Sequence, residues 1–168
     1  MYHQQRLEKT FTELFSRPTS FDLNTLIIVP DMQSYRCRFV YDEDHYEIEY
    51  IPYEVQYKKK LIYKEIDFNY KYKSLDRNMI NTYTKDLASD TDVLFVKEGL
   101  ICDTSIANIA CKIDGVWFTP KTPLLKGTTR ARLLDEKKLQ TADITVKQCQ
   151  NAQSIALFNA LTGFYELD

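Results

Sequence analysis

The feature that most restricts the fold of this chain is a change, near residue 35, in the spacing of its apolar residues. Before that point the apolar residues recur every three or four positions, which predicts an amphipathic helix over residues 2–15. The apolar positions of this helix are Leu7, Phe11, Leu14 and Phe15. From residue 35 apolar and polar residues alternate over residues 35–41 and 45–51 around an Asp-Glu-Asp turn, which predicts a β-hairpin. The chain therefore combines helices with antiparallel strands, and we expect an α+β fold.

Short strands, tight turns and further helices are predicted beyond the hairpin. We expect strands over residues 61–66, 93–96, 100–102, 106–113, 116–118 and 154–158, and helices over residues 20–26, 74–88 and 127–134. Ser74 is the expected N-cap of its helix, and the dipeptide Asp114-Gly115 is typical of a two-residue hairpin turn. We expect a small α/β lobe over residues 1–70 and a larger β-rich lobe over residues 71–168, with Lys73 at the seam.

Composition excludes several functional classes. Of 168 residues, 44% are hydrophobic and 27% are charged, as in ordinary globular domains, and the formal charge of −2 offers no general attraction for nucleic acid. No apolar run reaches the roughly 18–20 residues that a membrane helix needs, and the polar start lacks the apolar region of a signal peptide. The four cysteines form no C-x-x-C pair, so no metal site is predicted. We therefore expect a cytoplasmic protein.

Two basic side chains open the set of candidate functional residues. Arg6 lies on the predicted first helix, where a solvated surface charge is the commoner interpretation. Lys73 ends an extended segment directly before a predicted helix, and partial burial near the positive end of that helix would lower its pKa. A neutral amine is what Schiff-base chemistry requires. On this segment alone, a solvated lysine in a lysine-rich strand remains the alternative.

Two polar segments in the second half complete the set. Asp103 and Asn108 bracket an apolar stretch, and a carboxylate there could pair with a buried cationic ring nitrogen or form an ordinary Asx turn. Thr128 and Thr129 follow a glycine at a predicted helix start. They could form an anion site from backbone amides and hydroxyls, or a plain N-cap.

The order and spacing of these segments resemble the class IV (fold type IV) aminotransferases, which use pyridoxal phosphate. This family includes branched-chain and D-amino-acid aminotransferases and aminodeoxychorismate lyase. The family motifs H-x-x-R-L, K-x-x-N-R, G-x-V-x-E-x-x-x-x-N and L-x-G-x-T-R are similar to residues 3–7, 73–77, 99–108 and 125–130. The resemblance implies a D-amino-acid aminotransferase-like fold of two small lobes with the cofactor site at their seam.

The resemblance also implies a role for each candidate residue. Lys73 would be the catalytic residue that forms a Schiff base with pyridoxal phosphate and then transfers a proton. Asp103 would hydrogen-bond the pyridine nitrogen. The remaining implied cofactor contacts are Arg6, Thr128 and Thr129 around the phosphate, and Ser105 and Asn108 as supporting polar groups.

The chain departs from the family pattern in three places. Asp103 stands where most members have glutamate, and Asp76 stands where the lysine motif has asparagine. The chain begins at the family's first helix, without the strands that usually precede that helix. Either Met1 is an internal methionine of a longer chain or this is a shortened form, and we expect a shortened N-terminus.

Three functions are compatible with the resemblance. We expect a lyase that converts 4-amino-4-deoxychorismate to 4-aminobenzoate and pyruvate in folate biosynthesis. The alternatives are a branched-chain or D-amino-acid transaminase and a non-catalytic dimeric paralogue. Family members are homodimers acting on small molecules, so we expect a homodimer with a small-molecule substrate and with neither a nucleic-acid nor a membrane partner.

Overall fold

An N-terminal helix and a β-hairpin form the first of two units in the computed structural model, which describes residues 1–167. The first unit spans Met1–Val55, and the second starts at Gln56. The elements of the first unit are α1 (Tyr2–Phe15), α2 (Leu23–Leu26), β1 (Tyr35–Tyr41) and β2 (Tyr46–Pro52). The predicted helix and hairpin are therefore confirmed.

Aromatic rings fill the core of the first unit. Phe11 is 1% exposed, its ring stacks on that of Tyr41 with centroids 5.5 Å apart, and Phe21 meets it edge-on at 5.6 Å. Leu14, which the spacing placed on the same apolar stripe, is half exposed. The helix therefore buries a narrower stripe than its sequence pattern indicates.

Within residues 56–167, the second unit is built from two sheets and three helices. Its elements are β3 (Lys60–Glu65), α3 (Asn78–Thr84), β4 (Thr91–Lys97), β5 (Leu100–Thr104), β6 (Asn108–Ile113), β7 (Val116–Pro120), α4 (Thr128–Asp135), β8 (Gln140–Ala142), α5 (Val146–Gln150), β9 (Ser154–Asn159) and β10 (Gly163–Glu166). One sheet has the strand order β3-β4-β5, and the other has the order β10-β9-β6-β7-β8. Together with the helices, these sheets confirm the α+β prediction.

Strand β4 is the centre of the second unit because both of its faces are buried. Val93 and Phe95 belong to one apolar cluster, and Leu94 and Val96 to another. Side chains alternate between the two faces of a strand, so one strand supplies two cores. The next strand, β5, lies antiparallel to β4 and carries part of the site described below.

The boundary between the units differs from the predicted boundary between the lobes. Residues 56–70, which the sequence assigned to a lobe over residues 1–70, lie in the second unit. The physical reason is that β3 pairs in parallel with β4, in a register that places Ile62 opposite Val93. A parallel pairing across a long crossover leaves no local mark in the sequence.

Helix α3 is shorter than predicted. It begins at Asn78 rather than Ser74, because Ser74 Oγ accepts the Asp76 amide at 3.1 Å and Asp76 Oδ1 accepts the Asn78 amide at 2.9 Å. These short-range bonds compete with helical ones. Lys73 has a φ of 55°, in the left-handed region, so it does not directly precede a helix as expected.

Three short elements, β8, α5 and β10, are absent from the sequence-based assignment. Strands of three and four residues carry too few alternating positions to be recognised. Helix α5 does carry a start signal, since Thr145 and Gln148 form a capping box. In the described part of the chain, no helix is long and apolar enough to cross a membrane.

Candidate functional site

A buried carboxylate lies at the centre of the candidate site. Asp103, near the end of β5, is 4% exposed, and both of its oxygens accept hydrogen bonds. Asn108 Nδ2 donates to Oδ1 at 2.7 Å, and the Leu125 amide donates to Oδ2 at 2.9 Å. The same Asn108 Nδ2 also donates to the Leu125 carbonyl, at 2.9 Å. One asparagine therefore ties the carboxylate to the loop before α4.

The turn between β5 and β6 brings Asp103 and Asn108 together. Thr104 Oγ1 accepts the Ala107 amide at 3.0 Å and donates to the Ala107 carbonyl at 3.2 Å. This hydroxyl closes the turn and returns the chain so that Asn108 lies beside Asp103. The Asp103 carboxylate accepts from Asn108 and Leu125 instead, so the turn rests on Thr104 rather than on an Asx turn formed by Asp103.

Gly127 lets the loop before α4 approach Asn108 closely. A Cβ atom at this position would lie 2.1 Å from Asn108 Oδ1, far inside van der Waals contact. Gly127 is also the N-cap of α4, and it offers no side-chain cap. The two residues that follow, Thr128 and Thr129, are buried in the first turn. First-turn amides have no acceptor within their own helix, so the positive end of α4 adjoins the residue that holds Asp103.

The charge state of Asp103 is set mainly by burial. The pKa of Asp103 is raised to about 7, because burial outweighs the bonds from Leu125 and Asn108 and the charge of Arg130, which lower it. Arg130 is 6% exposed, and burial lowers its pKa. Its Nη2 donates to the Pro120 carbonyl at 2.8 Å, while its Nε has no hydrogen-bond partner among the described residues. The site thus holds a carboxylate that a nearby cation would ionise readily.

Arg77 joins the segment that carries Lys73 to this turn. Arg77 Nη2 donates to the Ser105 carbonyl at 2.8 Å. Ser105 is itself buried, whereas Lys73 is exposed, in the loop that precedes α3. Arg6 lies half-buried on α1 in the first unit, so its role stays a prediction from the H-x-x-R-L match.

The structure thus links most of the predicted site residues within the second unit. Asp103 and Asn108 are bonded to each other, Asn108 contacts the glycine before Thr128 and Thr129, and Ser105 lies in the same turn. The roles of all these residues toward a cofactor stay predictions. No group of three or more His, Cys, Asp or Glu side chains that could hold a metal ion occurs within residues 1–167.

Three contributors were not singled out from the sequence. Arg77 and Arg130 are the last residues of two of the motifs named above, and that position is the signal that could have marked them. The third is the amide of Leu125. A backbone donor leaves no signature in residue type, so only the fold reveals it.

We predict that the stability of the unliganded protein depends on pH through Asp103. The pKa of this carboxyl rises from the ordinary aspartate value of 3.8 to about 7 on folding, so the folded state retains a proton that the unfolded state releases. The free energy of unfolding should therefore fall by about 4 kcal/mol between pH 4 and pH 8, relative to Asp103→Asn. Urea denaturation across this range measures the difference. The exposed Asp143→Asn serves as control, and parallel curves for wild type and Asp103→Asn would contradict the assignment.

We predict that Gly127 and Asn108 are energetically coupled. The φ of −65° at this position suits alanine, so the backbone itself tolerates the change. Gly127→Ala should therefore destabilise the protein through overpacking alone, by about 1–3 kcal/mol. Asn108→Ala removes a donor from buried Asp103 and should also cost about 1–3 kcal/mol. The double variant lacks the clash between the new Cβ and the Asn108 side chain. Its loss in free energy of unfolding should therefore be smaller than the sum of the two single losses by at least about 0.5 kcal/mol. Strict additivity in urea denaturation would show that the two residues do not meet.

Comparison with known proteins identifies the family. The model of the class IV aminotransferase family matches residues 46–167. An uncharacterised protein of Haemophilus influenzae is 32% identical over 96% of this chain and 89% of its own length. A solved structure from Haemophilus somnus, named provisionally as a 4-amino-4-deoxychorismate lyase, is 29% identical with a TM-score of 0.86, over 96% of this chain and 88% of that one.

A second solved structure shows the same fold at lower identity. It is a provisionally named amino-acid aminotransferase from Mesorhizobium loti, 21% identical with a TM-score of 0.74, and the match covers 98% of this chain and 80% of that one. The D-amino-acid aminotransferase-like fold expected from the motifs is therefore confirmed. The chain belongs to the class IV aminotransferase family.

Proposed function

We propose that this chain binds pyridoxal phosphate and converts 4-amino-4-deoxychorismate to 4-aminobenzoate and pyruvate. The observation that carries the proposal is the buried Asp103 carboxylate, held by Asn108 and the Leu125 amide beside the start of α4. The choice of substrate is supported by the similarity to the Haemophilus somnus protein named provisionally as such a lyase.

The residues present fit pyridoxal phosphate in two respects. A buried carboxylate with a pKa of about 7 is stabilised by a cationic partner, and a protonated pyridine ring is such a partner. At the start of α4, two buried threonines follow a residue that provides no cap, and helix N-termini favour phosphate groups. Asn108 contacts both places, so a ring and its phosphate could be held by one connected framework.

Each proposed role follows from the chemistry of the side chain. When bound, the cofactor supplies an aldehyde that takes up amines and a ring that withdraws electrons. Asp103 would hold the proton on the ring nitrogen, and Thr128 and Thr129 would donate to the phosphate. Lys73 would provide the primary amine that anchors the cofactor, and its Nζ would move a proton to or from the substrate.

The replacement of glutamate by aspartate at position 103 is compatible with this role. Aspartate is one methylene shorter, so its reach depends more on where the backbone places it. Both of its oxygens are fixed, one through the β5–β6 turn and one through the loop before α4. A short, doubly held carboxylate has little freedom to move, which favours a single partner in a fixed position.

We predict that Lys73 anchors the cofactor. Wild-type protein incubated with pyridoxal phosphate should gain a visible absorbance band, and borohydride should fix the cofactor to the peptide that contains Lys73. Lys73→Ala should lose both signals. Lys71→Ala is the matched control, an exposed lysine two residues away whose Nζ contacts Tyr72, and it should keep both. A reducible adduct that persists in Lys73→Ala would refute the assignment.

We predict that the reaction needs no keto acid. A lyase expels pyruvate and returns to its starting form, whereas a transaminase must pass the amino group to a second substrate. Chorismate and glutamine, with the synthase that makes aminodeoxychorismate, should therefore yield 4-aminobenzoate without added keto acid. Branched-chain or D-amino acids alone should leave the absorbance band unchanged.

Two results would replace the lyase proposal by one of the alternatives. If an amino acid bleaches the band stoichiometrically and 2-oxoglutarate restores it, the protein is a transaminase. If wild-type protein shows no band at all, it is a non-catalytic paralogue. Product formation is followed by chromatography and the band by absorbance, so the two readouts are independent. The homodimer stays a prediction from the resemblance, and the cytoplasmic location stays a prediction from the composition of the chain.

A further inference from the structure

Arg77 contacts both the loop that carries Lys73 and the turn that follows Asp103. We call residues 70–77 the lysine loop and residues 104–107 the serine turn. Arg77 Nη2 donates to the Ser105 carbonyl at 2.8 Å, and its guanidinium lies over the Tyr70 ring, 5.6 Å from the ring centroid. Tyr70 Oη in turn donates to the Ser74 carbonyl at 2.7 Å. The two ends of the lysine loop are therefore joined to each other and to the serine turn.

Helix α3 does not explain why arginine occupies position 77. Arg77 is the N-cap of α3, and its side chain caps no amide there. A cation at a helix N-terminus also opposes the helix dipole. Serine, threonine, aspartate or asparagine would stabilise this helix start better. The contacts that arginine makes here lie instead with Tyr70 and Ser105, so those contacts account for the residue type.

A restraint on the lysine loop matters because Lys73 adopts a costly backbone conformation within an exposed segment. Lys73 adopts the left-handed region at a φ of 55°, which a residue with a Cβ occupies at some cost. Lys73 and most of its neighbours in the loop are exposed, so little buried area fixes their positions. A strained, exposed segment persists when surrounding contacts determine it.

We propose that Arg77 and Tyr70 form a clamp that holds the lysine loop against the serine turn and thereby fixes Lys73 relative to Asp103. This inference rests on the proposed function, since it gives Lys73 and Asp103 a shared ligand. Ser105 is two residues from Asp103 and three from Asn108. A bond to the Ser105 carbonyl therefore fixes the lysine loop to a point that is close to the carboxylate along the chain. Arg77 is a positioning residue in this proposal, because the contacts of its guanidinium lie with Tyr70 and the Ser105 carbonyl and it would act through Lys73.

The guanidinium group suits this task better than an amine would. Its planar fork can lie on an aromatic face while one Nη donates in a fixed direction, whereas an ammonium offers a single point of charge. Arg77→Lys should therefore fail to replace the arginine, although it preserves the charge. Tyr70→Phe keeps the ring face but removes the hydroxyl, which donates to the Ser74 carbonyl and accepts from Arg77 Nη1 at 3.5 Å. It should therefore cause a smaller defect of the same kind.

Non-covalent binding of the cofactor and its covalent attachment to Lys73 can be measured separately. Pyridoxine 5′-phosphate lacks the aldehyde and reports non-covalent binding, and its affinity for Arg77→Met should stay within twofold of wild type. Attachment of pyridoxal phosphate to Lys73, fixed by borohydride and measured by peptide mass spectrometry, should slow at least tenfold. Arg132→Met removes an exposed arginine that pairs with Glu136 in the same unit, and this control should behave as wild type.

Hydrogen exchange tests the clamp without any cofactor. Hydrogen exchange in the unliganded protein should rise at least tenfold together in the lysine loop and the serine turn of Arg77→Met, and remain unchanged in β1 and β2. If Arg77→Met does not fold, Tyr70→Phe is measured in the same way, with a smaller rise expected in both segments.

The outcomes distinguish the clamp from the proposed function. If wild-type protein takes up no cofactor, the proposed function fails and exchange alone decides the clamp. If wild type attaches the cofactor and Arg77→Met attaches it at the same rate, or if the two segments exchange independently, the clamp is refuted. Complete rescue by Arg77→Lys would also refute it, because charge alone would then suffice.

Discussion

The burial of one carboxylate is the constraint on which the rest of the site depends. Asp103 is removed from water, and a buried ionisable group is tolerated only where donors replace the lost solvent. One donor, Asn108, comes from the same turn, and the other is the amide of Leu125, 22 residues further on. To bring that amide within reach, the chain must complete β6 and β7 and then pass Asn108 so closely that only Gly127 fits. Carboxylate, asparagine and glycine are therefore one arrangement rather than three independent features.

The sequence predicts those parts of the structure that depend on residues close together along the chain. Asp103 and Asn108 are five residues apart across a single turn, and α1 and the hairpin of β1 and β2 follow from local apolar spacing. The Leu125 amide and the parallel pairing of β3 with β4 could not be predicted in this way. A backbone amide is the same in every residue except proline, and the partner of a parallel strand is chosen by the packing of the whole sheet.

The start of α3 shows why a strong local pattern can still mislead. Ser74 and Asp76 are both favourable near a helix N-terminus, which is why the sequence predicts a helix from Ser74. The same two side chains can instead accept amides two residues further on, and this is what they do. Arg77, the residue after Asp76, donates to the Ser105 carbonyl, and such a long-range bond is absent from any local pattern. As a result Lys73 lies in a loop that tertiary contacts shape, rather than in a helix that would have set its geometry by itself.

The same burial that makes the ionised Asp103 costly in the protein alone favours a cation as its partner. With a pKa of about 7, the group is largely protonated in weakly acidic solution, where a cation must first displace that proton. Above that pH the carboxylate is ionised but desolvated, and a protonated ring placed against it regains the interaction that water no longer provides. Binding and stability should thus have opposite dependences on pH: the protein alone loses stability as Asp103 ionises, and the same ionisation would strengthen the binding of a cation. In the proposed role the shorter aspartate would suffice at position 103, because a cation would offset the desolvation of the carboxylate and two donors already fix its oxygens.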